Sequence, residues 1–315
     1  MQCQASKLLV TGCWQRARVA TQLTSHRKSV SVNSVMASDN PDTNLVPAPL
    51  TWREDAYGGC IVDTGRIPSS PTAFRTALTE AIQEWTALGK RGIWLKLLKD
   101  QAPLIPMTVE LGFDFHHADP GHVMLTLWLP VDAPNTLPPN ASHQVGVGAL
   151  VLNEKGEMLV VQEKNGPLKN RNVWKMPTGL VLAGENLTDA VERELLEETG
   201  IFAKFESVLV IRQAHGFAFG KSDLFVLCAL KLQPGQNELR IQESEIEAAC
   251  WMPLDQYRQQ STFKGVLLYE KMVDRCIAFV EGRCKGLSAL NLSATLPFST
   301  RNREDLLIFP EDGST

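Results

Sequence analysis

The sequence predicts a two-domain protein of the α/β (α+β) class, and three observations support this prediction. The 315 residues exceed the roughly 250 at which a single hydrophobic core usually stops growing. Apolar segments with strand-like and helix-like spacing alternate through most of the chain. A segment with four prolines, PVDAPNTLPPNASH at 130–143, breaks both patterns and predicts a linker, so we place the domain boundary at 132–143.

The composition is that of a soluble globular protein and excludes several classes of function. Apolar residues make up 44% and charged residues 21% of the chain, as in ordinary folded domains. The formal net charge of -4 provides no basic surface for a nucleic acid polymer, although a small anionic ligand needs only a local positive site. No segment approaches the roughly 20 consecutive apolar residues that span a bilayer, so we predict no membrane partner. The seven cysteines form no CxxC pair, which favours a reducing compartment and indicates neither a zinc site nor a disulfide framework.

Residues 1–38 differ in composition from the rest of the chain. They contain five basic residues, many Ser and Thr, and no acidic residue before Asp39. This composition is typical of a mitochondrial or chloroplast transit peptide, with a disordered basic tail as the alternative. We therefore predict a transit peptide at 1–38 and a protein that works in the chloroplast or mitochondrion, or in the cytoplasm if the segment is not a targeting signal.

The first domain is predicted to span 45–131 and to form a small α/β unit. A helix should begin at Ser70 and Pro71 and end near Gly89, because apolar residues recur between them at intervals of three or four. GIWLKLL then predicts a strand, QAPLIPMTVELG a short helix, and FDFHHAD and HVMLTLWLP two further strands. Neighbouring side chains of a strand face opposite ways, so His116 and His117 should not form one site, and we interpret them as structural or dimer-interface residues.

The second domain is predicted to span 144–285. QVGVGALVLN and EMLVVQEK are predicted as two strands of a hairpin that turns at EKGE. FESVLVIRQAHGFA and SDLFVLCALKLQP predict two more strands, AACWMPLDQYRQQ a strand that runs into a helix, and FKGVLLYEKMVDRCIAFVEG an amphipathic helix. Residues 286–315 have no clear period and are expected to lie over the surface as a tail.

Within this domain, GENLTDAVERELLEETGI at 184–201 predicts a helix with an unusual charge distribution. Asn186 is a suitable N-terminal cap and Gly200 a suitable left-handed stop, so the helix should run over 187–199. At about 100° per residue, Glu194 and Glu198 fall on the apolar face that packs against the core. Glu197 lies to one side of that face.

This arrangement of carboxylates is unfavourable unless a cation neutralises it. Like charges four residues apart repel one another, and partial burial increases the repulsion. A run of charged residues on a helix is usually explained as a solvated face. Because Glu194 and Glu198 lie on the apolar face, a cluster of hard oxygen ligands is favoured instead. Such ligands suit Mg²⁺ or Mn²⁺, which retain waters and bridge to substrate phosphates.

The spacing of this helix and of the residues before it resembles that of a known family. From Gly179, through Glu185, to RELLEETGI at 193–201, the sequence matches every fixed position of GX5EX7REUXEEXGU, where U is aliphatic. This pattern is the Nudix box, and the chain therefore resembles a Nudix hydrolase. The resemblance implies an α/β/α sandwich with a mixed sheet, and metal-dependent hydrolysis of a nucleoside diphosphate linked to another group, X.

The resemblance also implies roles for the residues of the box. Arg193, paired with Glu185, would orient the glutamates. The base that activates water differs between members of the family and would be a box glutamate or a glutamate on a later loop. The implied metal ligands are Glu194, Glu197, Glu198 and the carbonyl oxygen of Gly179, and the implied catalytic residues are Glu194, Glu198, Arg193 and Glu245.

The later loop is the segment QESEIEAACW. Glu245 has a spacing to Trp251 that is frequent in Nudix hydrolases, which makes it the candidate base on this loop. Glu243 and Glu247 are less favoured. The alternative is that all three glutamates are simply exposed to solvent.

Segments outside the box resemble one subgroup of the family. HHADPGHVMLTLWLP, ASHQVGVGALVLN, VWKMPTGLV and RQAHGFAFGKSDLFVLCAL are similar to plant Nudix hydrolases with an N-terminal pre-Nudix domain, a subgroup shared with the animal fibroblast-growth-factor antisense protein. The resemblance implies that the pre-Nudix domain is similar to part of an acetyltransferase fold and supports a homodimer. Several members act on ADP-ribose and NADH, so we expect a small nucleotide substrate of this kind. Gly216 and Phe217 stand where ADP-ribose-specific and diadenosine polyphosphate enzymes often have proline and tyrosine.

The chemistry of a dinucleotide indicates candidate substrate-binding residues. Adenine requires a flat apolar partner and a pyrophosphate requires cations. The aromatic candidates are Trp174, Phe217 and Phe219, and the cationic candidates are Lys175, Arg212 and Lys221. The alternatives are that the aromatic residues belong to the core and that the lysines are solvated.

Three functions are compatible with the sequence. The leading hypothesis is a pyrophosphohydrolase that depends on Mg²⁺ or Mn²⁺, acts on ADP-ribose or NADH, and releases AMP. A non-catalytic nucleotide-binding regulator is the first alternative, but such a protein does not require the complete set of box carboxylates. A housecleaning nucleoside triphosphate pyrophosphohydrolase is the second, but such an enzyme does not require a second domain.

Overall fold

The computed structural model of the protein describes residues 49–216, 218–236, 238–262, 264–295 and 302–310. The proposed transit peptide at 1–38 lies outside these ranges. The chain divides into two units, with the boundary between Ala141 and Ser142. None of the helices in the described ranges is both long enough and apolar enough to cross a membrane.

The first unit consists of a five-stranded mixed sheet and two α-helices. Its sheet has the strand order β1-β2-β3-β5-β4, and β2 and β3 are parallel while the other neighbours are antiparallel. The elements are β1 (Trp52–Glu54), β2 (Cys60–Val62), α1 (Pro71–Ala87), β3 (Gly92–Leu98), α2 (Ile105–Glu110), β4 (Asp114–Asp119) and β5 (His122–Trp128).

Helix α1 supplies much of the core of this unit. Ser70 has the extended backbone of a cap residue and Pro71 occupies the first turn, where its missing N–H and fixed φ are tolerated. Phe74, Leu78 and Trp85 are fully buried and belong to one cluster with the inward side chains of β3. The predicted helix and its apolar stripe are therefore confirmed.

Strand β4 corrects the prediction that His116 and His117 face opposite ways. The register of β4 against β5 shifts between Phe115 and His117, so the strand carries a bulge at this point. A bulge inserts an extra residue and interrupts the alternation of side chains. As a result the two imidazole rings are neighbours, with 2.6 Å between His116 Nδ1 and His117 Nδ1.

The second unit is built on a six-stranded sheet of order β13-β12-β9-β10-β6-β8 and a two-stranded sheet of β11 and β7. The parallel pair β6 and β10 lies next to antiparallel pairs, so the large sheet is mixed. The elements are β6 (His143–Val151), β7 (Glu157–Glu163), β8 (Thr178–Leu180), α3 (Leu187–Thr199), β9 (Ala203–Ala214), β10 (Ser222–Leu232), β11 (Ile246–Pro253), α4 (Leu254–Arg258), α5 (Leu267–Val280), β12 (Leu287–Thr295) and β13 (Asn302–Pro310).

The large sheet is covered by a helix on each face. Successive residues of β10 belong to two different apolar clusters: Val226 is in the cluster that contains Val191 and Leu195 of α3, whereas Leu227 is in the cluster that contains Val273 of α5. Because successive side chains of a strand point to opposite faces, α3 and α5 lie on opposite sides of the sheet. The predicted α/β/α sandwich with a mixed sheet is confirmed.

The predicted hairpin of β6 and β7 is correct only at its turn. The Asn153 N–H donates to the Glu157 carbonyl oxygen at 2.9 Å, but the strands then separate into different sheets. Strand β6 is paired with β10 on one edge and β8 on the other. Beyond the bridge between Leu152 and Met158, β7 pairs with β11.

The prediction of an irregular tail at 286–315 is wrong for the described part of it. Strands β12 and β13 form an antiparallel pair, and Leu287 of β12 pairs with Val208 of β9. Leu290 and Leu292 are exposed, whereas Leu287 and Ile308 pack against the core, so the described side chains do not give a strong alternating pattern in the sequence.

Candidate active site

Helix α3 has the predicted bounds and places its carboxylates beside the sheet. Gly200 adopts the left-handed conformation with a φ of 72° and ends the helix, as glycine does most readily. Asn186 occupies the cap position, but its side chain accepts no helical N–H; its amide donates to Asp189 instead. The cap prediction is therefore correct in position and wrong in its hydrogen bond.

Gly179 allows α3 to approach the backbone of β8. A methyl group at this position would overlap the side chain of Glu194. Gly179 pairs with Val147 of β6, so its backbone is fixed by the sheet and cannot move aside freely. The first glycine of the box is required because the Glu194 carboxylate lies against it.

Arg193 links the loop after β8 to the helix. Its guanidinium donates two hydrogen bonds to Glu185, at 2.7 and 2.9 Å, and one to the Leu180 carbonyl oxygen at 3.0 Å. It also donates to Glu194 at 2.8 Å and to Glu197 at 3.2 Å. The hydrogen bonds from Arg193 lower the pKa of Glu185, and those to Glu185 raise the pKa of Arg193. Arg193 therefore orients two box glutamates, as the resemblance implies.

Glu198 is the buried carboxyl group of the site. Its side chain is on the core face, the residue is only 5% exposed, and its Oε2 accepts the Thr178 N–H at 3.1 Å. Burial raises the pKa of Glu198 to about 8, with Lys175 opposing the rise and Glu194 adding to it. Burial also raises the pKa of Glu194, against the effect of Arg193. Additional positive charge nearby would favour the ionised form of both groups.

The three box glutamates are more spread than their spacing suggests. Glu194, Glu197 and Glu198 do not bring one oxygen each within 4.8 Å of one another. Arg193 holds Glu194 and Glu197 from one side, whereas Glu198 turns to the Thr178 N–H. An ion that contacts all three carboxylates must draw them together, and the half-exposed side chain of Glu197 has the freedom to move.

Lys175 and Glu163 extend the site, and Glu163 was missed by the sequence reasoning. Lys175 Nζ lies 2.6 Å from Glu163 Oε1 and donates to Thr178 Oγ1 at 2.7 Å. The Glu163 side chain is 8% exposed, and its Oε2 is buried without a hydrogen-bond donor among the described residues. The negative charge of Glu163 also raises the pKa of Glu198. In the sequence, the signal for Glu163 was its position as a charged residue at the end of an apolar strand.

Glu245 is placed beside the box by contacts of its loop. The Gln242 N–H donates to the Glu198 carbonyl oxygen at 3.3 Å, and the Lys164 N–H donates to the Glu245 carbonyl oxygen at 2.8 Å. Burial raises the pKa of Glu245, the charge of Glu197 adds to the rise, and Lys175 opposes it. Glu243 and Glu247 are exposed, so Glu245 is the glutamate of this loop that faces the cluster.

The other candidate substrate-binding residues have different environments. Trp174 is half-buried, and Gln260 holds its backbone through bonds of 2.8 and 3.0 Å. Arg212 is paired with buried Asp223 and lies over the Phe225 ring, within the apolar cluster on the α5 face. Phe219 is 92% exposed, which excludes the core alternative for this residue, and Lys221 is partly exposed. Phe217 lies outside the described residues.

The geometry predicts a pH dependence of stability that is specific to Glu198. Its pKa in the folded protein is about 8 instead of 4.5, so its contribution to stability is complete below about pH 4.5 and is lost as pH rises through about 8. In EDTA, we expect the Tm of the wild type to fall by roughly 5 °C or more relative to Glu198→Gln between about pH 5 and pH 8.5. Thermal denaturation followed by circular dichroism measures this difference. Parallel Tm profiles of the two proteins would contradict the assigned burial of the carboxyl group.

Comparisons with known proteins match both units of the chain. A family model described as "Nudix hydrolase domain" matches residues 50–129, and one described as "NUDIX domain" matches residues 142–275. Nudix hydrolase 2 of Arabidopsis thaliana is 42% identical over 266 residues, which cover 84% of this chain and 92% of that protein.

Other relatives are aligned over a smaller share of their length. Nudix hydrolase 8 of Arabidopsis thaliana is 43% identical over 77% of this chain, and the alignment spans 65% of that protein. The human nucleoside diphosphate-linked moiety X motif 6 is 40% identical over 64% of this chain and 64% of its own length. Among solved structures, a MutT protein from Methanosarcina mazei Go1 is 22% identical over 44% of this chain and 96% of that protein, with a TM-score of 0.35.

Proposed function

The chain belongs to the Nudix hydrolase family, and we propose that it hydrolyses the pyrophosphate bond of a nucleoside diphosphate linked to another group, with ADP-ribose and NADH as substrates. The plant and human relatives and the match at residues 50–129 confirm the resemblance to the subgroup with a pre-Nudix domain. The single observation that carries the catalytic proposal is the pair formed by the buried carboxyl group of Glu198 and the partly buried one of Glu194, whose pKa values are both raised.

The residues of the site fit Mg²⁺ or Mn²⁺. The donor set consists of carboxylates and a backbone carbonyl, which are the ligands that these hard cations prefer. The buried Oε2 of Glu163 has no hydrogen-bond donor among the described residues, and burial, with smaller contributions from Glu194 and Glu163, raises the pKa of Glu198. A cation at this position would stabilise the ionised form of both carboxyl groups. Glu194, Glu197, Glu198 and the Gly179 carbonyl oxygen would hold the ion. When bound, the ion neutralises charge that develops on the pyrophosphate oxygens.

The remaining steps are assigned to side chains of the chain itself. Arg193 keeps Glu194 and Glu197 in position through its bonds to Glu185 and Leu180. Glu245 accepts the proton of the attacking water, because its raised pKa brings it closer to the pH at which a general base is effective. Lys175 contacts a substrate phosphate from the side of Thr178, and the exposed Phe219 ring stacks on adenine.

A pair of variants tests the role of Glu245. Glu245→Gln should lower kcat by on the order of 10²-fold with little change in KM, because the amide cannot accept the proton of water. Glu243→Gln is the matched control, since Glu243 lies on the same loop and is exposed. Steady-state kinetics with ADP-ribose measure both variants. Equal activity of Glu245→Gln and the wild type would assign the base to a box glutamate.

A substrate screen with product identification tests the proposed function. The purified full chain should release AMP from ADP-ribose or NADH in the presence of Mg²⁺ or Mn²⁺. Release of pyrophosphate from nucleoside triphosphates alone would favour a housecleaning enzyme. Binding of nucleotides without turnover by a folded protein would favour a regulatory module. Either of these results would overturn the proposal.

The assembly and location of the protein are separate parts of this proposal. We expect a homodimer formed through the pre-Nudix domain, which multi-angle light scattering of the full chain can detect. We also expect residues 1–38 to direct a fluorescent protein to the chloroplast or mitochondrion. A monomeric full chain, or a fusion that remains in the cytoplasm, would contradict the corresponding expectation.

A further inference from the structure

The first unit contains a second cluster of metal-ligating side chains, outside the box. His117, Asp119 and His122 each offer one ligand atom, and these three atoms lie within 4.8 Å of one another. His122 Nε2 lies 3.6 Å and His117 Nε2 lies 3.9 Å from Asp119 Oδ2. In the part of the chain that the structure describes, no other group of three His, Cys, Asp or Glu side chains brings its ligand atoms within 4.8 Å of one another.

The β4–β5 hairpin fixes these side chains on one face. Asp119 is directly opposite His122 across a two-residue turn, and His117 is two residues before Asp119 on the same strand. Opposite residues and residues two apart share a face of an antiparallel pair. The cluster is therefore held by backbone pairing and does not depend on a chance meeting of long side chains.

The hydrogen bonds behind His117 determine which of its nitrogens faces the cluster. His116 Nε2 lies 2.9 Å from the Pro138 carbonyl oxygen, which can only accept, so this nitrogen carries the proton. In neutral His116, Nδ1 is then an acceptor, and the Nδ1–H of His117 donates to it at 2.6 Å. Neutral His117 therefore presents the bare lone pair of Nε2 to the Asp119 carboxylate.

The imidazole of His117 and the carboxylate of Asp119 therefore offer two ligand atoms to the same space. His117 Nε2 lies 3.9 Å from Asp119 Oδ2, so one metal ion could be bound by both. The support of His117 through its other nitrogen is the arrangement that orients imidazole ligands in metal sites. The bulge that brings His116 next to His117 thus has a role in this cluster.

We propose that His117, Asp119 and His122 form a binding site for a divalent transition metal ion of the zinc class. Two imidazoles and one carboxylate suit Zn²⁺ and its neighbours better than Mg²⁺, which prefers oxygen ligands. Bonds of about 2.0–2.2 Å in a tetrahedral site place ligand atoms about 3.3–3.5 Å apart. The ligand atoms are slightly more distant than this, and Asp119, whose side chain is 61% exposed, can close the difference. Three protein ligands leave a further position for water.

Zinc binding by the full chain tests this proposal. Zn²⁺ is the only transition metal ion added in an isothermal titration of the Glu198→Gln protein in excess Mg²⁺. The substitution and the Mg²⁺ exclude binding of Zn²⁺ at the Nudix box. We expect one Zn²⁺ per chain, and a loss of affinity of at least about 10-fold in His122→Gln and in Asp119→Asn. His116→Gln should weaken binding by less, because His116 supports His117 without contacting the ion. His215→Gln is the control, since His215 is an exposed histidine of the other unit.

A spectroscopic measurement separates coordination by these histidines from nonspecific binding. Co²⁺ substituted for Zn²⁺ should give visible absorption bands of a four- or five-coordinate site, and these bands should be lost in His122→Gln with an unchanged circular dichroism spectrum. Zinc affinity that is equal in the wild type, His122→Gln and Asp119→Asn would overturn the proposal. So would the absence of binding at about 100 µM Zn²⁺.

Discussion

Glu198→Gln should reduce kcat by on the order of 10³-fold, equivalent to about 4 kcal/mol, and leave the fold intact. Glutamine has the shape of glutamic acid, and its carbonyl oxygen can still accept the Thr178 N–H. Because the pKa of Glu198 is raised to about 8, the neutral side chain resembles the form that the fold itself favours near pH 7. The variant removes the negative charge on which metal binding depends.

Kinetics and metal titration of this variant must agree. We expect the Mg²⁺ concentration for half-maximal activity to rise together with the fall in kcat. The Tm in EDTA should equal that of the wild type below about pH 4.5, where Glu198 is neutral in the folded and the unfolded protein. Glu192→Gln is a matched control on the same helix, because Glu192 contacts Lys204 and the Phe205 N–H instead of the site. Full activity of Glu198→Gln would remove Glu198 from the catalytic machinery.

Gly179→Ala should reduce kcat by on the order of 10²-fold through the position of Glu194. The new methyl group would overlap the Glu194 side chain, whose carboxylate is held on the other side by Arg193 at 2.8 Å. The sheet restrains Gly179, so the carboxylate is the group that moves. Overlap in a packed region also lowers the free energy of unfolding by about 1–3 kcal/mol.

Gly148→Ala separates loss of activity from loss of stability. A methyl group at Gly148 would meet the Phe225 ring, in the same sheet but away from a carboxylate. We expect a comparable decrease in the free energy of unfolding, measured with urea, and activity close to that of the wild type. If both variants lost activity equally, the effect of Gly179→Ala would be one of general packing.

The box was readable from the sequence because its constraints are local. Gly200, the spacing of the glutamates and the facing of Glu198 all follow from the geometry of one helix. Pairing of Arg193 with Glu185 was implied by the family resemblance, and the structure has this pairing. Within a single strand-loop-helix segment, spacing along the chain determines position in space.

The features that sequence reasoning missed depend on distant parts of the chain. Glu163 reaches the site through Lys175 and an isolated bridge between Val161 and Lys175, which no local pattern reveals. The bulge at His116 and the separation of β7 from β6 depend on the register and the free edges of strands. These are properties of the assembled sheets, because a slip of one residue reverses every side chain of a strand.

Hydrolysis of ADP-ribose in ¹⁸O-labelled water, with mass spectrometry of the products, is the most direct test of the proposed activity. We expect AMP and ribose 5-phosphate, with one ¹⁸O atom incorporated into one of them for each bond broken. This reaction should require Mg²⁺ or Mn²⁺ and should be lost in Glu198→Gln. Product formation that persists in Glu198→Gln, or no product from any nucleoside diphosphate derivative with a folded protein, would contradict the proposed mechanism.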